Sequence, residues 1–197
     1  MKRLPKSYYH QTAIKLAEEM LGKILVRKLN KTYLHCRIVE TEAYMGTVDK
    51  ASHAYKGKHT KRTMNLYQPG GSVYVYSIYG IYYCLNIVVN DQKSAESVFI
   101  RAVEPLNHLD TLQQNRPVKS KKTVDLTNGP SKLCQALIID KSLNGINLAT
   151  SDDIFLVSDG YHPDRIVKTQ RINIDYAEED KDNLWRFYIK GDDFISR

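Results

Sequence analysis

ETEAYMGTVDKASH, residues 40–53, is followed by a basic run KHTKRT at 58–63, a turn QPGG at 68–71, and SVYVYSIYGIYYCLN at 72–86. Val, Ile and Tyr dominate Ser72–Tyr79 and Ile81–Val89, and Gly80 splits them, which predicts a β-hairpin or a sharply bent strand pair. Upstream, Tyr33–Tyr44 reads as a strand ending in the acidic motif, entered through a turn at Asn30-Lys31 from a strand at Lys23–Lys28. Gly46 to Gly71 is polar and aperiodic. A loop of that length in a compact domain is functional or disordered.

Outward from this segment, Ala13, Leu16, Ala17, Met20 and Leu21 carry the spacing of an amphipathic helix over 12–21, with Gly22 as its C-cap. Downstream, a turn is expected at Asn90-Asp91 and a strand at Ser97–Val103, ended by Glu104-Pro105. A helix follows at His108–Gln114, then a basic connector (116–124) containing KSKK. Thr127–Lys132 opens a helix that runs through Leu137. Late strands are expected at Asp153–Val157, Arg165–Ile174 and Trp185–Ile189, with an acidic stretch from Tyr176 to Asp182 before the last. No repeat or domain boundary is visible, so one α+β domain over 1–197 is expected.

The chain has 197 residues, of which 42% are hydrophobic, enough to bury a core and too polar for a membrane protein. The basic N-terminus has no apolar block behind it, so no signal peptide is expected. Cys36, Cys84 and Cys134 are odd in number and form no C-x-x-C pair. A disulfide framework and a zinc site are not expected, and a reducing cytosol is the simple reading. The net charge of +7 fits a polyanionic partner, and equally plain solubility.

Glu40 and Glu42 stand at i and i+2, on one strand face, with Tyr44 extending it. Two such carboxylates could hold a metal, or divide into a base and a structural group. By spacing alone, two solvated strand-end acids is the favoured reading. His53 could be a plain exposed loop histidine. Tyr74, Tyr76, Tyr79, Tyr82 and Tyr83 could stack on nucleobases, though strands favour tyrosine anyway and part of the ladder is packing. Lys56, Lys58, Lys61 and Arg62 make either a solvated basic loop or a phosphate-contacting rim. Gly129-Pro130-Ser131-Lys132 could offer helix amides to an anion or simply start a helix with Pro at N1.

Taken together, ETEAY, the histidine nine residues past its tyrosine, VYVYSIYGIYYCLN, IRAVEPL (100–106) and GPSKLCQAL (129–137) resemble the alkyladenine (3-methyladenine) DNA glycosylase family, in its short bacterial form. The resemblance runs from the first helix to RFYI (186–189). It implies a curved, mostly antiparallel sheet with a protruding hairpin and surrounding helices. It implies catalytic roles for Glu42, as the base that activates water, and Arg101, which helps hold that water. Tyr44, His53 and Tyr76 would wall the pocket for an extruded base. Asn86 would crowd the 2-amino group of normal guanine, and Tyr79 would enter the minor groove as a wedge. A backbone carbonyl from Arg171–Ile174 would complete the water site, although members often carry glycine where Asn173 stands. The wording of Thr63–Tyr67 also departs from the family's.

The implied activity is excision of alkylated purines from double-stranded damaged DNA, with no metal or cofactor, by a cytoplasmic monomer that leaves an abasic site. Alkylation makes the purine cationic and weakens its bond to the sugar. Stacked aromatic rings favour such a base, and one ionised carboxylate suffices to activate water. Neutral lesions would need a proton donor, for which His53 is one candidate. The rival readings are a nucleic-acid-binding module without chemistry and, more remotely, a metal nuclease built on Glu40 and Glu42.

Overall fold

The computed structural model describes residues 1–90, 94–120 and 122–196. Its strands are β1 (Lys2–Arg3), β2 (Ile24–Leu29), β3 (Thr32–Tyr44), β4 (Val73–Ile78), β5 (Tyr82–Val88), β6 (Ser97–Pro105), β7 (Ile154–Ser158), β8 (Ile166–Thr169) and β9 (Arg186–Ile189). Its α-helices are α1 (Ala13–Met20), α2 (Leu109–Asn115) and α3 (Pro130–Ala136). The strands join in one sheet, ordered β1-β7-β2-β3-β6-β5-β4, with β9 beside β3 and β8 beside β9. Every described pairing is antiparallel, so the expected α+β architecture is the one observed.

The long strand β3 anchors the sheet. Along one edge it pairs first with β2, through Thr32–Arg37, and then with β9, through Glu40–Glu42. Its other edge pairs with β6 from Cys36 onward, with register shifts around Glu40. A bulge of this kind bends a strand and re-aims its side chains. Here it falls where one partner leaves and the other arrives.

Alternation sorts the sheet into two faces. Ala43, Val73, Val75, Leu85, Ile87, Val98 and Ile100 share the main core with the buried stripe of α1 and with Leu133, Cys134, Ala136 and Leu137 of α3. Thr12 caps α1, and Gly22 follows its end with φ +85°. On the other face, over β3, β6, β5 and β4, loop residues pack in two small clusters, one holding Ala54, Leu66 and Tyr74, the other Ala51, Ile174 and Ala177 against Tyr44.

One expectation needs correction. The strand expected at Arg165–Ile174 ends at Thr169, because Arg171 turns inward to a buried partner. The segment Asp175–Asp182 is an irregular run of 3-10 turns. Gly129–Lys132 is a plain helix start, with Pro130 at N1 and Lys132 Nζ held by Asn128 Oδ1 at 2.6 Å. The turn expected at Asn90-Asp91 and the KSKK connector fall partly outside the described residues, at Asp91 and Lys121.

Candidate active site

Directly paired residues on neighbouring strands point to the same face. Glu42 pairs with Phe99, Phe99 with Asn86, and Asn86 with Tyr74, giving one row across β3, β6, β5 and β4. Two residues to one side of this row Tyr44 pairs with Ser97, and two residues to the other side Tyr76 pairs with Cys84. All therefore stand on the loop-covered face. Tyr44 and Tyr76 rise from strands three spacings apart, about 14 Å, with the shorter Ser97 and Asn86 between them. Sheet geometry thus makes a cavity with tyrosine walls and a small-residue floor. Tyr44, His53, Tyr74, Tyr76, Asn86, Ser97 and Tyr176 all line it.

The bends that bring the loop over this face begin at Gly46. Its φ is +62°, and a Cβ there would meet the Ser94 carbonyl oxygen at 1.8 Å. Only glycine fits this crossing. Beyond it Asp49 is locked to Arg171, with Nη1–Oδ2 at 2.6 Å and Nη2–Oδ1 at 3.0 Å, and neither side chain is exposed. This forked pair ties the 46–53 loop to the 171–182 segment, and the Arg171 guanidinium lies 4.7 Å from the Tyr44 ring centre.

His53 meets Tyr76 edge to face with ring centres 4.6 Å apart, and its Nδ1 lies 2.9 Å from the Tyr74 hydroxyl. Burial, and then the charges of Arg62 and Lys58, lower its pKa to about 4. A ring neutral at physiological pH does not repel a cationic base, and it is no ready acid. Asn86 is buried and donates to the Tyr74 carbonyl at 3.4 Å.

Glu42 lies behind the Tyr44 wall and has no exposed surface. The Tyr44 hydroxyl donates to its Oε2 at 3.0 Å, the Ile172 amide to its Oε1 at 2.8 Å, and Arg101 Nη1 pairs with Oε1 at 3.1 Å. Burial, followed by the Glu42 charge, holds the Tyr44 hydroxyl protonated as a donor. Burial opposes charge on Arg101, but Glu42 and Glu40 together hold it protonated. Asn173, next to Ile172, has φ +60°, a conformation that glycine and asparagine adopt most readily. This explains how asparagine can stand at a glycine-favouring position.

The carboxylates are therefore not solvated strand-end acids. Arg101 bridges them, with Nε on Glu40 at 3.1 Å and Nη1 on Glu42. Their lone pairs go to guanidinium, hydroxyl and amide donors, which is not how an open metal site is built.

Of the residues singled out from sequence, the structure gathers Glu42, Arg101, Tyr44, His53, Tyr76 and Asn86. Tyr79 stands apart, at the β4–β5 tip. It is 89% exposed at φ +53°, next to Gly80 at +74°. Consecutive positive φ values make a primed hairpin turn, and a tyrosine held there is unusual. Ile81 and Tyr82 are exposed beside it, while Tyr83 packs on the core. Lys56, Lys58, Lys61 and Arg62 are all exposed, and Arg62 lies 5.6 Å from the Tyr76 ring centre.

Sequence reasoning passed over Ser97 and Tyr176 as lining residues, while Tyr74, one of the tyrosines it singled out for stacking, lines the cavity beside Tyr76. No local signal marks Tyr176, whose hydroxyl donates to the Ala51 carbonyl at 3.3 Å across the cavity edge.

Comparison with known proteins agrees with this arrangement. The family model described as Methylpurine-DNA glycosylase (MPG) matches residues 7–193. A relative from Natranaerobius thermophilus, named "Putative 3-methyladenine DNA glycosylase", is 50% identical over 98% of both chains. A relative of the same name from Clostridium perfringens strain 13 is 47% identical over 99% of both, and one from Clostridium beijerinckii is 48% identical over 98% of both. The chain belongs to the methylpurine-DNA glycosylase family.

Proposed function

We propose that this protein is a monofunctional DNA glycosylase that turns alkylated purines such as 3-methyladenine out of duplex DNA and hydrolyses their N-glycosidic bond. The observation that carries the reading is the Tyr44–Glu42 hydrogen bond. It joins the aromatic cavity to the Glu42–Arg101 ion pair, so the group that receives the base and the group that activates the attacking water are one connected unit.

A base inside a duplex is out of reach, and extruding it costs a few kcal/mol. Tyr79 offsets that cost by filling the gap from the minor groove, while Lys56, Lys58, Lys61 and Arg62 contact phosphates without selecting sequence. The cationic purine enters between Tyr44 and the His53–Tyr76 pair, where ring faces favour it. Neutral His53 adds no repulsion, and Asn86 excludes the 2-amino group of guanine.

Chemistry then proceeds at C1′. The glycosidic bond breaks, its electron pair leaves with the purine, and the cationic base departs neutral. The sugar acquires oxocarbenium character. A water oriented by Glu42 and Arg101 attacks C1′, and its proton passes to Glu42. The carboxylate also opposes the developing positive charge. The product is an abasic site on an unbroken strand, because the nucleophile is water and not an amine. The enzyme acts in the cytoplasm as a one-domain monomer. Among the described residues, no helix is long and apolar enough to cross a membrane.

The deciding experiment incubates the protein with methylated duplex DNA in buffer containing chelator and measures released bases. Release of free 3-methyladenine, with strands intact until alkali is added, is expected. Binding without release would make the protein a nucleic-acid-binding module. Strand breaks that need a divalent ion would make it a nuclease.

A further inference from the structure

Behind the Glu42–Arg101 pair lies a second buried carboxylate with its own partners. Glu40 has no exposed surface, and four donors converge on it. Arg186 Nε, Ser196 Oγ and Arg101 Nε reach Oε1 at 2.6, 2.8 and 3.1 Å, and the Ser196 amide reaches Oε2 at 2.6 Å. The Ser196 hydroxyl also accepts from Arg101 Nε and Nη2, each at 3.3 Å. Ser196 comes from the far end of the sequence, and Arg186 Nη2 reaches its carbonyl at 3.4 Å.

A guanidinium is a rigid plane, so holding two of its nitrogens fixes the third. Nε and Nη2 of Arg101 are held by Glu40 and Ser196, which leaves Nη1 as the end that meets Glu42. The charges also balance, since Glu40 and Glu42 face Arg101 and Arg186. Without Glu40, Arg101 could turn and fork onto both oxygens of Glu42, the geometry guanidinium prefers. It would then occupy the lone pairs that a base needs for water.

We propose that Glu40 and Ser196 are positioning residues for base excision. They aim Arg101 so that a single nitrogen meets Glu42, and Glu40 draws off the rest of its hydrogen-bonding demand. This inference rests on the glycosylase reading above. It separates the two acids of the ETEAY motif by role: Glu42 acts on water, and Glu40 acts only through Arg101.

The test measures single-turnover release of 3-methyladenine from methylated duplex DNA, together with affinity for the same DNA and thermal melting. Glu40→Gln keeps the side chain's shape and removes its charge. Its rate is expected to fall on the order of tenfold to 100-fold, the scale of loss from a slightly misplaced group, with affinity unchanged within about twofold. Ser196→Ala is expected to lose roughly threefold to tenfold, and Ser196→Thr, which retains the hydroxyl, to recover most of it. In an Arg101→Lys background, adding Glu40→Gln is expected to cost nothing further, because both act through one group.

A wild-type rate in folded Glu40→Gln and Ser196→Ala would overturn the proposal. So would losses that multiply in the double variant, or a fall in affinity equal to the fall in rate. Should Glu40→Gln fail to fold, the Ser196→Ala and Ser196→Thr pair decides alone. Wild-type protein that releases no base would instead sink the glycosylase reading, and this inference with it.

Discussion

The buried floor behind the Tyr44 wall, where Glu42 and Arg101 sit, and the hairpin tip differ in almost every physical respect. Glu42 and Arg101 are buried and neutralise each other, and Glu42 is tied to strand, wall and loop at once. Tyr79 is exposed, sits on a primed turn and carries backbone strain. The floor needs rigidity, because chemistry depends on sub-ångström placement. The tip needs only to be presented to a partner that will complete its environment. Strain is tolerated there because hairpin pairing from Val73–Ile78 to Tyr82–Val88 holds the turn regardless. Binding and bond cleavage should therefore come apart when the two regions are altered separately.

The largest effect is expected at the floor. Glu42→Gln should bind methylated duplex DNA as wild type does and release base at least about 100-fold more slowly, read by single-turnover assay. Near-normal turnover would remove the catalytic role. At the tip, Tyr79→Ala should weaken binding about tenfold, in line with ~1–3 kcal/mol per stacked ring, while bound complexes still react. Tyr79→Gly sharpens the contrast. It should lose the same affinity yet gain stability of up to about 1 kcal/mol, read as a higher melting temperature, because glycine relieves the left-handed strain. Equal affinity for lesion DNA in both variants and wild type would end the wedge assignment.

Asn86→Ser should release unmodified guanine several-fold faster, with alkyl-purine release little changed. Unaltered discrimination would mean that another group excludes the 2-amino substituent. The last prediction concerns pH, and it bears on stability and not on turnover. His53 has a folded pKa of about 4 against an ordinary 6.5, so between these values the unfolded chain takes up a proton that the folded one refuses. Stability should fall as pH drops through that window, by at most roughly 3 kcal/mol from this group. His53→Gln should flatten that part of the melting-versus-pH curve. In the wild type, the excision profile should show no histidine break near 6.5.

The elements that depend on local spacing were readable beforehand. The apolar stripe of α1, the tyrosine-rich hairpin split at Gly80 and the strand leading into ETEAY all appear where periodicity put them. The family motifs led to Glu42, Arg101, Tyr44, His53, Tyr76 and Asn86. What remained hidden depends on partners far apart in sequence. Nothing local marks Arg171 as the partner of Asp49, 122 residues away, and so the strand expected at Arg165–Ile174 was drawn too long. Glu40 looked like a solvated acid because its donors, Arg101, Arg186 and Ser196, lie 61, 146 and 156 residues downstream. Tyr176 entered the pocket through turns that have no periodicity to read.

The strand β3 is hydrogen-bonded along both edges, with β6 on one side and β2 then β9 on the other. Such double pairing works like a vernier. A slip of one residue would bring Thr41 and Ala43 to the cavity side and bury Glu42 and Tyr44 against α1. A single-residue insertion within this strand should thus cost stability and repair together, because the slip would carry a carboxylate into the apolar core and turn core residues out of it.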